Sequence, residues 1–169
     1  MSGLWMFLLV MPVMVPFIQA HDLTMVEVFE LQTIYALAMV TFEVPSGYIA
    51  DLVGRKRCLV LASLLYGTSF SWLAAADGFG ELVLFELLVA VAASLRSGTD
   101  VALLYDSLEA LGEEADGTRV LGRRLFWSQT GETLAALVTT ALVAAAGIMA
   151  PALANAVTAW IPLLVILTL

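Results

Sequence analysis

The chain has 169 residues, of which 62% are hydrophobic and only 13% are charged. A soluble domain is about 45–50% apolar and about 25% charged, so this chain has too few polar residues to cover a water-facing surface. Its net charge of −8 comes from 15 acidic and 7 basic residues, and so few basic residues exclude a nucleic-acid-binding face. One cysteine and one histidine exclude an internal disulfide and a Cys/His metal cluster.

Six apolar segments follow one another and predict an all-α, polytopic transmembrane helix bundle. A helix needs about 20 apolar residues to cross the hydrocarbon core of a bilayer, and no segment alternates with the period of a barrel strand. We expect one six-helix domain over residues 1–169, surrounded by the lipid bilayer. The predicted spans are 4–20, 24–50, 58–76, 80–108, 119–146 and 152–169.

The first segment has an alternative interpretation as the apolar region of a cleaved signal peptide, with Ile-Gln-Ala at 18–20 as the cleavage site. No Lys or Arg precedes it, although a signal peptide begins with positive charge, and further apolar segments follow directly. We therefore count it as the first span. Its two prolines, Pro12 and Pro16, are compatible with a membrane helix that packs against neighbours.

Basic residues predict the orientation of the bundle. Residues 55–57 lie between the second and third segments, and Arg119, Arg123 and Arg124 lie at the start of the fifth. With six crossings, both groups are on one side, and the loops on the other side contain no basic residue. The positive-inside rule makes the basic side cytoplasmic. We therefore expect a multi-pass protein of the plasma membrane, with its N-terminus and Cys58 on the cytoplasmic side.

The turn after the second segment carries spaced small and charged residues, and it reads GYIADLVGRK over 47–56. Gly47 allows close approach of a neighbouring helix, and Gly54 allows the positive φ of a tight turn. Asp51 can accept hydrogen bonds from a helix N-terminus or from an arginine. Such a pair at the cytoplasmic face would form a latch that closes one conformational state and opens in the other. The alternative is an ordinary positive-inside loop with a turn.

This run resembles the G-x-x-x-D-[RK]-x-G-[RK]-[RK] signature of the major facilitator superfamily, which lies between helices two and three of those transporters. Leu52 departs from the signature, because the family usually has a basic residue at that position. A salt bridge made by that basic residue is therefore not expected in this chain. The resemblance implies a conformational-switch motif formed by the five matching residues Gly47, Asp51, Gly54, Arg55 and Lys56.

The fourth segment reads RSGTDVALLYDSL over 96–108, and it is similar to an SG-x-x-x-ALxYDSL stretch in many members of this superfamily. Arg96 is similar to the helix-four arginine of the family, which is often tied to proton coupling. The glycine- and proline-rich motif of drug/proton antiporters does not occur in the fifth segment. The resemblance covers the whole chain but only six of the family's usual twelve helices. It therefore implies an N-terminal half, a fragment without its C-terminal bundle.

The candidates for the coupling or substrate pathway are four ionisable residues within the spans, Glu43, Arg96, Asp100 and Glu132. Glu86, Arg96 and Asp100 fall within an arc of about 80° on one helix face, and Arg96 and Asp100 are close enough in sequence to pair. Glu132 lies at a depth similar to that of Arg96, and Glu43 lies in the cytoplasmic third of the second segment. Two alternatives are open. Either at least one of Glu43, Asp100 and Glu132 binds and releases a proton, or these carboxylates form fixed salt bridges.

These patterns favour a secondary active transporter of a small molecule that works by alternating access between two bundles; proton coupling is one open alternative. The alternative class of protein is a membrane scaffold or assembly subunit without transport activity. An enzyme is not expected, because HExxH and GxSxG motifs are absent from the sequence. We assign no catalytic residue, cofactor or metal ligand. The expected partners are lipid, a small-molecule substrate, protons in the coupled alternative, and the C-terminal bundle.

Overall fold

The computed structural model describes residues 5–112 and 116–168. Within those two ranges the chain is helical apart from short turns and contains no strand, so the all-α prediction is confirmed. In the same ranges a 3-10 helix, Met11–Val13, precedes seven α-helices. They are α1 (Met14–Gln19), α2 (Met25–Val53), α3 (Arg55–Leu73), α4 (Phe79–Leu111), α5 (Gly117–Ala146), α6 (Ala150–Thr158) and α7 (Ile161–Leu167).

Capping residues set both ends of α2. The Thr24 hydroxyl accepts a hydrogen bond from the Glu27 backbone N–H, and the Glu27 carboxylate accepts one of 2.8 Å from the Thr24 backbone N–H. This capping box provides partners for N–H groups that have none within the first turn. Gly54 ends the helix with a φ of 92°, a conformation that residues with a side chain rarely adopt. The tight turn predicted at Gly54 is therefore confirmed.

The first segment is interrupted. The prediction of one helix over 4–20 is wrong, because residues 6–10 are not helical. Pro12 accounts for the break, since it has no N–H to donate to the Leu8 carbonyl and its ring clashes with that group. The backbone groups of Leu9, which are buried and have no helical partner, bind distant side chains instead. The Leu9 N–H donates to Asn155 Oδ1 at 2.6 Å, and the Thr139 hydroxyl donates to the Leu9 carbonyl at 2.6 Å.

The last segment is also divided, into α6 and α7. Pro162 lies in the first turn of α7, where a missing backbone N–H costs least. Trp160 lies at the turn between the two helices and packs onto α3. Its indole N–H donates to Ser71 Oγ at 3.1 Å, and its ring lies so close to Gly67 that a Cβ atom there would be 2.6 Å from Cδ2. A glycine at position 67 is therefore required by this contact.

Helix α4 lies at the centre of the bundle and packs against both α2 and α3. Small residues make this approach possible, because they allow helix backbones to come close: Ala62 and Ser63 on α3 and Ala92 on α4 are fully buried. The Ser46 hydroxyl of α2 also lies 3.0 Å from the Ser94 carbonyl of α4 and donates to it. Helix α5 lies against α6 and the 3-10 helix.

Two helical stretches within the described residues are long and apolar enough to cross a bilayer, Met25–Val53 and Ala150–Leu167. They correspond to the second and sixth predicted spans. Helix α5 is long enough at 30 residues, but three arginines near its start and Glu132 lower its apolar character. The count of six crossings stays a prediction.

Candidate functional site

The candidate site is a cavity of about 330 Å³ inside the bundle. Its walls come from the interrupted first segment and from α2, α3, α4 and α5, and most of them are apolar. The polar side chains that line it are Gln32, Tyr35, Tyr66, Glu86, Arg96 and Glu132.

Arg96 lies over an aromatic ring at one end of the cavity. The guanidinium carbon is 5.0 Å from the centroid of the Trp5 ring, which is the geometry of a cation–π interaction. Trp5 is itself fixed by Tyr66, whose hydroxyl donates to the Trp5 carbonyl at 2.9 Å and whose ring centroid is 4.8 Å from that of Trp5. The aromatic pair therefore holds the arginine in the cavity wall.

Asp100 does not pair with Arg96. Its carboxylate binds Arg124 of α5, with Oδ2 2.5 Å from Nη2, and both side chains are about three-quarters buried. The predicted pairing of Arg96 with Asp100 is therefore corrected. The reason lies in the position of α5, which brings a second guanidinium to Asp100 and leaves Arg96 free to turn toward Trp5.

Glu86 is the most enclosed charged group of the cavity, with only 4% of the residue exposed. Within the described ranges its carboxylate forms no hydrogen bond or ion pair with another residue. Tyr35 of α2 lines the same cavity as Glu86 and Arg96. Helical periodicity places Glu86 on the same face as Arg96, but Glu86 was not among the four predicted pathway residues.

The other two predicted pathway carboxylates differ in position. Glu132 of α5 lines the cavity from an exposed position at its edge. Glu43 of α2 is exposed and lies outside the cavity. Of the four predicted pathway residues, the structure therefore brings Arg96 and Glu132 into one cavity, and leaves Asp100 and Glu43 outside it.

The predicted conformational-switch motif lies at the turn between α2 and α3. Asp51 and Lys56 are exposed, and the Asp51 carboxylate accepts no hydrogen bond from the described residues. Arg55 forms the ion pair instead, with Nη1 2.7 Å from Oδ2 of Asp106 near the end of α4. A Cβ atom at Gly47 would have nothing within 4 Å, so no helix of the described chain makes the close approach predicted there.

No protein-family model matches the chain, and no curated protein matches it in sequence. The resemblance to the major facilitator superfamily therefore rests on the two sequence runs at 47–56 and 96–108. The structure adds one contact between these runs, the Arg55–Asp106 pair. Within the described residues, no group of three or more His, Cys, Asp or Glu side chains could hold a metal ion.

Proposed function

We propose that this chain is the N-terminal six-helix half of a secondary transporter that resembles the major facilitator superfamily. It lies in the plasma membrane with its N-terminus in the cytoplasm, and it moves a small molecule by alternating access. The observation that carries the proposal is the cavity, in which Glu86, Arg96 and Glu132 line one space between the helices.

Charged side chains in membrane spans support this proposal. They are costly in hydrocarbon, and they occur where they bind a substrate or ion or face a water-filled cavity. A bundle that serves only as a scaffold gains nothing from three ionisable side chains around an open cavity. The interrupted first segment adds to the argument, because non-helical backbone at membrane depth is tolerated where it lines a cavity. Residues 6–10 include two of the lining residues, Met6 and Leu8.

Exposed polar residues on α2 and α5 support a second bundle. Glu43 and Glu132 are both exposed in this chain, whereas a carboxylate in a membrane span normally faces protein or water. Gly47 lies on α2 with open space beside it, and a glycine in a membrane helix favours close contact with another helix. These features fit a surface covered by the second half of an alternating-access transporter.

Counterflow in proteoliposomes tests the proposal. The full-length protein is reconstituted and loaded in turn with members of a solute panel that contains sugars, amino acids, carboxylates and organic amines. We expect saturable counterflow of at least one class, and we expect Arg96→Lys to reduce it, because lysine lacks the planar group that lies over Trp5. The control is Arg123→Lys, since Arg123 is exposed at the start of α5.

Absence of counterflow for every class, with protein that is folded and inserted, would favour the scaffold alternative. Equal rates for wild type and Arg96→Lys at matched abundance would leave transport in place but remove Arg96 from the pathway. The two outcomes are distinguishable because the first concerns the whole protein and the second concerns one side chain.

A further inference from the structure

The charges around the cavity do not balance. Among the described residues, two carboxylates, Glu86 and Glu132, and one guanidinium, Arg96, line it. When all three are ionised, one negative charge remains. An unbalanced charge in a low-dielectric interior is strongly unfavourable. A buried carboxylate that is out of reach of Arg96 and of solvent therefore needs a positive charge of its own, which a proton or a cationic ligand can supply.

Glu86 is where that positive charge is needed. Arg96 is ten residues further along α4, which separates the two α-carbons by about 15 Å along the helix, more than their side chains span. Arg96 is also held over Trp5. Glu132 is exposed at the edge of the cavity, so solvent or a second bundle can balance its charge. Glu86 has only 4% of its surface exposed.

The walls beside Glu86 are aromatic and apolar. Phe85 precedes Glu86 on α4. The ring centroids of Phe85 and Phe70 are 5.4 Å apart, and those of Phe70 and Tyr66 are 4.8 Å apart. Aromatic faces attract organic cations, and the apolar walls accommodate an apolar body. A bare metal ion is not favoured here, because no group of three or more His, Cys, Asp or Glu side chains within the described residues could hold one. The volume of about 330 Å³ is at the lower end of ligand pockets.

We propose that the Glu86 carboxyl binds either a proton or a small organic cation with an apolar body, and that the two compete for this one position. When the cation enters, the carboxyl releases its proton to water, so the charge of the cavity is unchanged. The binding step needs no transport. The exchange of a proton for a cation across the membrane rests on the function proposed above.

The other titratable groups around the cavity come from each helix that encloses it. Tyr35 faces it from α2, Tyr66 from α3, Arg96 from α4 and Glu132 from α5. Tyr66 is committed to the Trp5 carbonyl, and Arg96 is charged at every accessible pH. Among the described residues that line the cavity, Glu132 is the one other carboxylate, and its exposure leaves its charge to solvent or to a second bundle. A pH-dependent binding step in this cavity therefore belongs to Glu86.

Equilibrium binding to the purified full chain in detergent micelles tests the proposal. The probe is benzyltrimethylammonium, and phenylacetate is the probe of opposite charge with a similar aromatic body. We expect benzyltrimethylammonium to bind saturably, with an affinity that rises about tenfold per pH unit while the proton competes. Glu86→Gln should weaken binding by about tenfold or more and remove the pH dependence. The matched control is Glu109→Gln, an exposed position on the same helix.

Proton release provides a second measurement that needs no variant. In weakly buffered solution at a pH where affinity still depends on pH, wild-type protein should release close to one proton per cation bound. Binding without proton release would overturn the proposal, as would unchanged affinity in folded Glu86→Gln. Preferential binding of phenylacetate would assign the cavity to anions and Arg96. If cation binding is intact but counterflow is absent, the transport function fails and this inference stands.

Discussion

The Arg55 guanidinium and the Asp106 carboxylate lie 2.7 Å apart and connect the start of α3 with the last part of α4. They belong to the two sequence runs that resemble the major facilitator superfamily. The ion pair is partly exposed, with 28% of the Arg55 side chain and 53% of the Asp106 side chain accessible. Pairs of this kind stabilise a protein by about 0–1 kcal/mol. The pair therefore contributes little to folding, but it can shift the balance between two conformations of similar energy.

Asp106→Asn should slow transport without unfolding the protein. Loss of about 1 kcal/mol from one of two states changes their ratio by about fivefold, and we expect the counterflow rate to fall by a similar factor. The thermal unfolding temperature in detergent should stay close to that of wild type. The exchanged pair Arg55→Asp with Asp106→Arg should recover part of the rate. Glu109→Gln is the control, and a normal rate in Asp106→Asn would contradict a switching role for the pair.

Much of the fold can be predicted from the sequence, because a few residues mark where the helices begin and end. Gly54 predicts the turn between α2 and α3, and the apolar segments predict the long helices within a few residues. The break at residues 6–10 was not predicted, because proline is compatible with a membrane helix. It depends on Asn155 and Thr139, which are 146 and 130 residues away from Leu9. Such contacts are known only once the helices are packed.

Only two of the charged members of the site were predicted from the sequence. Arg96 and Glu132 stand out because ionisable residues in apolar segments are rare. Trp5, Tyr35 and Tyr66 line the same cavity, but aromatic residues in apolar helices usually serve packing, so their sequence positions gave no signal. The sequence also does not show which side chain pairs with an ionisable residue, because the pairing depends on how the neighbouring helices are rotated.

The Asp100–Arg124 pair should contribute measurably to stability. It is more enclosed than the Arg55–Asp106 pair, and charged hydrogen bonds of this kind stabilise by about 1.5–3 kcal/mol. Asp100→Asn should therefore lower the free energy of unfolding by about 1–2 kcal/mol, measured by denaturant titration in mixed micelles. The double variant Asp100→Asn/Arg124→Gln should lose less than the sum of the single losses. Arg123→Gln is the control, because Arg123 is exposed, and strict additivity would argue against the pair.

The proposed topology can be tested by cysteine labelling in intact cells. Cys58 is only 1% exposed, so it should resist maleimide from either side until the protein is denatured. In a Cys58→Ser background, Lys56→Cys should react with an impermeant maleimide only after permeabilisation, whereas Asp77→Cys should react in intact cells. Both positions are exposed and lie at opposite ends of α3. The reverse pattern would invert the orientation, and equal labelling of both positions would contradict a membrane-spanning α3.

Gly67 and Gly80 form a matched pair for the packing of Trp160. A Cβ atom at Gly67 would lie 2.6 Å from Trp160 Cδ2, whereas one at Gly80 would have nothing within 4 Å. Gly67→Ala should displace the indole and destabilise the protein by about 1–3 kcal/mol. Gly80→Ala should leave stability unchanged or raise it by up to about 1 kcal/mol, because alanine favours the helix. Thermal unfolding followed by circular dichroism measures both, and equal effects would show that Trp160 does not pack against Gly67.

The break in the first segment can be tested with two adjacent threonines on α5. The Thr139 hydroxyl lies 2.7 Å from the Ala135 carbonyl and 2.6 Å from the Leu9 carbonyl. The Thr140 hydroxyl lies 3.0 Å from the Ala136 carbonyl and is exposed. Both hydroxyls can therefore bond within their own helix, but only Thr139 also reaches the non-helical backbone. Valine has the shape of threonine without its hydrogen-bonding group, so the two substitutions are chemically the same.

Thr139→Val should leave the buried Leu9 carbonyl without this donor and destabilise the protein by about 1–3 kcal/mol, whereas Thr140→Val should change stability by less than about 0.5 kcal/mol. Because residues 6–10 carry Met6 and Leu8 into the cavity wall, Thr139→Val should also change the apparent substrate affinity in counterflow. Amide hydrogen exchange provides the local measurement, since protection around Leu9 should fall in Thr139→Val alone. Equal protection in both variants would show that the break is set by Pro12 without help from α5.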